Sequence, residues 1–399
     1  MKINIASNEV IHFIGIGGIG MSGLAQIMKN MGFTIQGSDL NQNKSTERLI
    51  KTGIKVYIGH HQKNLNKTTM VVVSSAIKKN NKELIAAKNK KLPIFKRGEM
   101  LANIVALKKN IIVTGSHGKT TTTSLVAKIL TDQKLDPTII NGGVINSFKS
   151  NAKLGRGDWA ILEADESDGS FLKLPINYSI VTNIDHEHLD YYKTYKNLEN
   201  AFINFINKTP PTGKAIICVD SKNIKKIINK VKNQNILTYG ENQKAFYQIK
   251  KIRYNFDNTL FDLRFKDKEK NIKNIKNINV KLLGKHNVLN AAAALIVCLN
   301  LGANLKIVKK SLKNFSGVQR RMTKVFSNNE NDFYDDYAHH PTEISSILEG
   351  VHNVNSERKI ISIFEPHRYS RVMSLKNEFS KCFLKSDLVI LCPLYAAGE

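Results

Sequence analysis

Short apolar runs recur along the chain, each ending in glycine or polar residues, and most lead into a segment of helical period. Val10-Ile11-His12-Phe13-Ile14 reads as a strand, followed by Gly15-Ile16-Gly17-Gly18-Ile19-Gly20 and an apolar helical pattern through Leu24, Ile27 and Met28. Residues 33–36, 54–57 and 70–73 read as further strands; the second of these four ends in Gly37-Ser38-Asp39 and the fourth in Ser74-Ser75-Ala76. Strands alternating with helices predict an α/β fold with a parallel sheet and ligand loops at the carboxyl ends of its strands. By itself Gly-x-Gly-x-x-Gly in a strand-turn-helix setting points to a dinucleotide, with Asp39 placed to meet a ribose hydroxyl, and a nicotinamide dehydrogenase is its first association.

Ile111-Ile112-Val113-Thr114-Gly115-Ser116-His117-Gly118-Lys119-Thr120-Thr121-Thr122-Thr123 is a β-branched strand running into a Gly-rich turn that opens a helix ending near Leu130. The full P-loop spacing would need glycine where Val113 stands, so the match is to a shortened Gly-x-x-Gly-Lys-Thr. Two glycines let consecutive N–H groups face one point, the helix N-terminus adds partial positive charge, and Lys119 adds a full one. Thr120 offers a hydroxyl to magnesium. A solvated lysine on a plain turn would leave four consecutive threonines, poor helix formers, unexplained. Two glycine-rich nucleotide loops so far apart imply separate domains, and the chain divides at 1–106, 107–316 and 317–399.

The apolar run from Trp159 discharges into the carboxylates of Glu163, Asp165, Glu166 and Asp168, which repel one another unless a cation compensates them; magnesium, taking oxygen ligands, fits. A second run from Tyr178 ends in Asn183-Ile184-Asp185-His186-Glu187-His188, a polar rim without zinc-ligand spacing. His286, Asn287 and Asn290 sit in the opening turn of an alanine-rich helix, where capping and recognition of a base edge compete as explanations. Arg320-Arg321 is suited to phosphate. Asp335-Asp336-Tyr337-Ala338-His339-His340-Pro341 closes a strand and opens a helix with proline in its first turn. Glu365-Pro366-His367-Arg368-Tyr369-Ser370-Arg371 is another cationic strand end, and a last strand begins at Leu388. A parallel sheet left there would expose an edge, which suggests a longer parent sequence.

The net charge of +27 raises the question of nucleic acid, but the excess is lysine dispersed among asparagines, as in 223–233 and 266–281. A solvated Lys/Asn bias is the plainer reading, with a field that gathers anionic substrates; a basic nucleic-acid binder or defective relic is the non-catalytic alternative. Cys218, Cys298, Cys382 and Cys392 lack CxxC pairing and read as free thiols of a cytoplasmic protein. Lacking an apolar run of ~18 residues, the chain is expected not to span a membrane.

Gly-Ser-His-Gly-Lys-Thr-Thr-Thr at 115–122, Glu-Ala-Asp-Glu-Ser-Asp at 163–168, Asp-Asp-Tyr-Ala-His-His-Pro-Thr-Glu at 335–343 and Glu-Pro-His-Arg-Tyr-Ser-Arg at 365–371, in this order, resemble the Mur ligases of bacterial cell-wall synthesis. The last motif favours the alanine-adding branch over the murein-peptide ligases, which share the Asp-Asp-x-Ala-His-His-Pro pattern. The resemblance implies three domains: an N-terminal Rossmann-like one for a UDP-sugar, a central P-loop ATPase-like one, and a C-terminal Rossmann-like one for the amino acid. The family's third domain continues beyond the equivalent of Glu399, so it would be truncated here. The implied activity is ATP- and Mg2+-dependent ligation of L-alanine to the lactyl carboxylate of UDP-N-acetylmuramate, by a cytoplasmic monomer or weak homodimer that binds no specific nucleic acid. Carried onto this sequence, Gly115, Ser116, His117, Gly118, Lys119, Thr120, Thr121, His286, Asn290, Arg321 and Asp336 would hold ATP. Thr120, Glu163 and His188 would hold the metal. Gly15, Gly17, Gly18, Gly20, Asp39, Ser74, Arg97, Asp165, Glu166, Ser167 and Tyr337 would hold the UDP-sugar, and Lys119, His339, Arg368 and Arg371 would serve catalysis. Ile203 stands where several sister ligases carry a carbamylated lysine, so no such modification is expected.

Overall fold

The computed structural model describes residues 9–267, 269–354, 357–396 and 399. Strands β1 (Val10–Ile14), β2 (Thr34–Asp39), β3 (Lys55–Ile58), β4 (Met70–Val73) and β5 (Ile94–Lys96) form a parallel sheet in the order β3-β2-β1-β4-β5. The order reverses at β1, which opens a crevice at the carboxyl ends of β1 and β4. The helix Ile19–Asn30 follows the glycine loop and buries Met21, Leu24, Ile27 and Met28. Each such side chain contributes roughly 1.5–3 kcal/mol of burial. The same helix docks on the next sheet: Asn151 Nδ2 donates to the carbonyl of Ile19 at 2.9 Å.

Behind β1 and β2 lies a fully buried carboxylate, Glu83. It accepts hydrogen bonds from Ser38 Oγ and Asn64 Nδ2, and His12 Nε2 and His60 Nδ1 stand 3.4 and 3.2 Å from it. Burial alone would raise its pKa, but the contacts from His12, Ser38 and Asn64 outweigh burial and hold it down at about 2.

The second sheet holds β6 (Lys109–Thr114), β7 (Thr138–Ile145), β8 (Ser150–Lys153), β9 (Trp159–Glu163), β10 (Tyr178–Val181), β11 (Ala215–Cys218), β12 (Ile236–Gly240), β13 (Tyr247–Tyr254), β14 (Thr259–Lys266) and β15 (Ile272–Val280). Their order is β15-β14-β13-β12-β11-β10-β6-β9-β7-β8. β6 is central, and Ile111, Ile112 and Val113 are fully buried, as both faces of a parallel sheet are covered. The helices Lys119–Asp132 and Lys285–Asn300 pack together on one face, where Ala291–Ala294 let the backbones approach. Ile203 packs at the edge of the core on the helix Tyr195–Asn207.

One stretch departs from the sequence expectation. Part of the Lys/Asn-rich segment is not a plain solvated run: β13, β14 and β15 form an antiparallel meander at the sheet's end, with Ile275, Ile278 and Val280 turned inward. Its outer face carries the lysines, which also discourage pairing at an edge strand.

The third unit has an antiparallel pair, β16 (Thr323–Ser327) and β17 (Asp332–Asp335), and a parallel pair, β18 (Ile361–Phe364) and β19 (Leu388–Leu391). The helix Pro341–His352 starts with His340 as its cap and proline in the first turn, and Ile344 and Leu348 meet Phe364 and Cys382 in a small core. Cys218, Cys298 and Cys382 are buried and Cys392 is half-buried, all as free thiols. Among the described residues no helix is long and apolar enough to cross a membrane.

Candidate active site

β6 delivers the chain to a loop that only glycine fits at two points. Gly115 has φ +130° and Gly118 φ +82°; a Cβ on Gly118 would stand 2.4 Å from Asn290 Oδ1, and one on Gly115 would overlap Thr182 Oγ1. The loop is locked from the neighbouring strand end: Asn183 Oδ1 accepts the His117 N–H at 2.8 Å, and Ser116 Oγ accepts the Asp185 N–H at 2.8 Å. The helix Lys119–Asp132 starts here, with buried Thr120–Thr123 facing the interior rather than solvent. The Lys119 amine donates to the carbonyls of Gly115 and Ser116 at 2.6 and 3.1 Å and to both oxygens of Glu166 at 2.9 and 3.0 Å. Burial disfavours its charge, yet Glu166, Asp165 and Glu163 together raise its pKa.

Glu163, at the end of β9, accepts the Gly142 N–H at 2.6 Å and the Thr120 hydroxyl at 3.1 Å. Burial pushes its pKa up despite the pull of Lys119. A carboxylate short of positive charge beside a hydroxyl is a donor set that suits a hard divalent cation, so these residues fit magnesium. The third expected ligand, His188, has Nε2 3.5 Å from Glu166 Oε1. Asp165, Glu166 and His188 present ligand atoms within 4.8 Å of one another. Burial lowers the His188 pKa, but Glu166 outweighs it, so the net shift is upward.

A cavity of about 630 Å³ opens beside the loop, between the second sheet and the third unit. His117, Gly118, Thr120, Thr121, His286, Asn290, Arg321 and Asp336 all line it, so these eight residues expected at ATP meet in one place. Burial holds the His286 pKa down at about 4, leaving a neutral ring whose Nδ1 has no hydrogen-bond partner. Asn290 accepts from the Thr122 hydroxyl at 3.1 Å, and the Asp336 carboxylate accepts the N–H groups of Met322 and Ala338, each at 2.7 Å. Cys218, Asp220, Asn223, Tyr239 and Lys285 also line the cavity. Nothing local in the sequence marks them.

In the first unit, Asp39 Oδ2 accepts the Gly17 N–H at 2.7 Å, Ser74 lies against Gly15, and the Arg97 guanidinium lies against Gly20. Arg97 also reaches the field of Asp165, whose pKa is lowered: burial opposes this, and Lys119, Ser167 and Arg97 outweigh it. Ser167 donates its N–H to Asp165 at 2.9 Å. Glu166, expected with the UDP-sugar group, pairs here with Lys119. In the third unit the Tyr337 ring lies under Arg320 and Arg321, and the His339 ring is 5.9 Å from that of His367, which Arg371 Nη1 approaches at 3.3 Å. Arg368 is exposed and has φ +72°.

Two acids that sequence reasoning left without a role meet His117. Its Nε2 is 2.9 Å from Asp185 and its Nδ1 3.3 Å from Glu343. Burial disfavours the imidazolium, but the two carboxylates outweigh it and raise its pKa to about 10.

Family models match the chain in three stretches: the Mur ligase family catalytic domain at 10–109, the Mur ligase middle domain at 113–298 and the Mur ligase glutamate ligase domain at 320–399. The chain is 57% identical over 399 residues to the UDP-N-acetylmuramate–L-alanine ligase of Pelagibacter ubique, covering 100% of this chain and 86% of that protein. The crystal structure of the UDP-N-acetylmuramate-alanine ligase of Thermotoga maritima superposes with a TM-score of 0.83 at 30% identity, over 97% of this chain and 86% of that one. A murein peptide ligase of Psychrobacter arcticus shares the fold at a TM-score of 0.75 and 24% identity, over 96% of this chain and 84% of that one. The matched stretches fall in all three units, the identity runs the length of this chain, and the chain belongs to the Mur ligase family.

Proposed function

We propose that the chain is an ATP-dependent ligase that joins L-alanine to the lactyl carboxylate of UDP-N-acetylmuramate in peptidoglycan precursor synthesis. The observation that carries this is the 57% identity to an alanine-adding ligase over all 399 residues of this chain and 86% of that protein. The phosphate loop gives that likeness a chemical reason. A carboxylate and an amine at neutral pH form a salt, so the carboxylate must first acquire a leaving group. A carboxylate oxygen attacks the γ-phosphorus of ATP, ADP departs, and the resulting acyl phosphate is attacked by the alanine nitrogen. The amine proton goes to solvent or a nearby base, and the tetrahedral intermediate expels phosphate.

Lys119 and Arg321 are the cations that spread charge as the phosphoryl group moves. Magnesium, held by Thr120 and Glu163 with His188, supplies further charge neutralisation when bound. Lys119 must exchange Glu166 for phosphate, and Glu166 lies within reach of His188 to take up that partner. His339 is set as an acceptor: its Nδ1 faces the Tyr337 carbonyl at 2.9 Å and so carries the proton, leaving Nε2 with a lone pair for an N–H of the incoming amine. Burial holds the pKa of His339 at about 4, which suits orienting the amine more than storing its proton. Arg368 and Arg371 supply positive charge toward the substrate carboxylates. The first-unit cluster of Gly15, Gly17, Gly18, Gly20, Asp39, Ser74 and Arg97 takes the UDP-sugar, so no nicotinamide is needed. The reading puts the enzyme in the cytoplasm with its nucleotide substrates, as a monomer or weak homodimer.

The test is release of ADP and phosphate that requires both UDP-N-acetylmuramate and L-alanine. ATP turnover unchanged when either is omitted overturns the reading, and turnover that requires a peptide amine in place of L-alanine moves the chain to the murein-peptide branch.

A further inference from the structure

Glu343 lies three residues after His340, the cap of the helix Pro341–His352, where an acid ordinarily reaches back to cap the helix. Here its carboxylate does more than that. Oε1 lies 3.3 Å from His117 Nδ1 and 3.7 Å from Arg321 Nη1, and Oε2 accepts the backbone N–H of His339 at 3.2 Å. Its side chain and that of His117 are each only 11% exposed. His117 stands between the two phosphate-loop glycines, with its N–H and carbonyl held by Asn183 and the carbonyl also by the Thr182 hydroxyl. Both of its ring nitrogens face carboxylates, Asp185 and Glu343, so the ring is an imidazolium bridging two acids. The His340 ring packs 4.8 Å from it, closing the contact from the third unit's side.

One carboxylate therefore touches the phosphate loop, the ATP-facing Arg321 and the backbone of His339. We propose that Glu343 is a positioning residue that registers the third unit on the phosphate loop through His117, so that His339 presents the alanine nitrogen to the acyl phosphate in a fixed relation. This rests on the ligase reading. The inference is about register rather than chemistry: Glu343 also lines the cavity, but its contacts are His117, Arg321 and the backbone of His339, and its effect passes through them.

Glutamine at 343 separates this role from capping, because Gln caps a helix as Glu does but cannot pair ionically with an imidazolium. E343Q should lower kcat/KM for L-alanine, read at saturating ATP, by about tenfold or more, chiefly through KM, with only a modest fall in Tm because His117 keeps Asp185 as an ionic partner. H117N should show the same L-alanine defect at saturating ATP, on top of any loss of ATP affinity that its place in the phosphate loop brings, and at saturating ATP the H117N/E343Q double variant should be no worse for L-alanine than the poorer single, since the two act as one unit. E343D, which keeps the charge on a shorter arm, should recover part of the loss. Wild-type kinetics for L-alanine in E343Q, or losses that multiply in the double variant, overturn the proposal. So does unfolding of E343Q and E343D alike, which assigns Glu343 to the stability of its helix. A wild-type protein whose ADP release ignores L-alanine overturns the ligase reading itself, whereas normal wild-type turnover with an unaffected E343Q overturns the positioning role alone.

Discussion

Replacing Lys119 by alanine should have two separable effects whose sizes follow from its surroundings. The amine is the strongest partner of Glu166, whose side chain is 1% exposed and whose two oxygens it holds at 2.9 and 3.0 Å. Removing one member of a buried ion pair strands the other charge and costs about 3–5 kcal/mol. At the few degrees that each kcal/mol moves a domain of this size, the melting of the second unit should fall by the order of 10 °C. The chemical loss is independent of that: a preorganised cation at the phosphoryl group is worth at least about 10²–10³ in turnover. Adding E166Q to K119A removes the stranded charge, so the double variant should recover most of the melting temperature and none of the turnover. Binding of the UDP-sugar, measured calorimetrically at the first-unit cluster, should stay within about twofold, because no residue of that cluster bonds to Lys119. A K119A protein that melts with the wild type would refute the stability reasoning. Equal loss of ATP and UDP-sugar binding would show that the two sites are misassigned.

Gly118→Ala puts a Cβ 2.4 Å from Asn290 Oδ1 at φ +82°, where the left-handed backbone alone costs roughly 1 kcal/mol, so ATP affinity should drop about tenfold or more in equilibrium titration while the fold persists. Glu163→Gln should weaken Mn2+ binding, read by electron paramagnetic resonance, by at least the roughly tenfold that even outer-sphere changes cost; unchanged affinity removes Glu163 from the metal site. Glu83, with its pKa lowered from 4.5 to about 2, favours the folded state fully above pH 4.5 and loses that contribution as pH falls toward 2. At 1.36 kcal/mol per pH unit this is about 3 kcal/mol, so denaturant melts should show acid destabilisation below pH 4.5 that Glu83→Gln flattens.

What was legible in the sequence was what is local. A β-branched run, glycines at the turn and a helix after them are contiguous, so β6 and its phosphate loop could be drawn from residues 111–132 without knowing what packs on them. β13 to β15 were hidden because only one face of each strand is buried and the registers shift at Lys250/Arg253 and Phe261/Leu263, which breaks the period-2 signal under a layer of lysine and asparagine. The site divides the same way. Glycine and lysine types announce a phosphate cradle wherever they stand in that order, but a carboxylate says nothing of its partner. Nothing beside Glu166 in the sequence points to Lys119, and nothing beside Glu343 points to His117; the fold brings each pair together. Both pairings join residues on different elements, so their energy is visible only once topology has closed the distance. It follows that the motif order in this chain identifies the chemistry, whereas the ion pairs between motifs set which phosphate, carboxylate and amine can be held together. Variants that keep every other motif residue but exchange the acids at 166 and 343 are therefore the ones in which a chain of this family would still bind the UDP-sugar yet join alanine to it poorly.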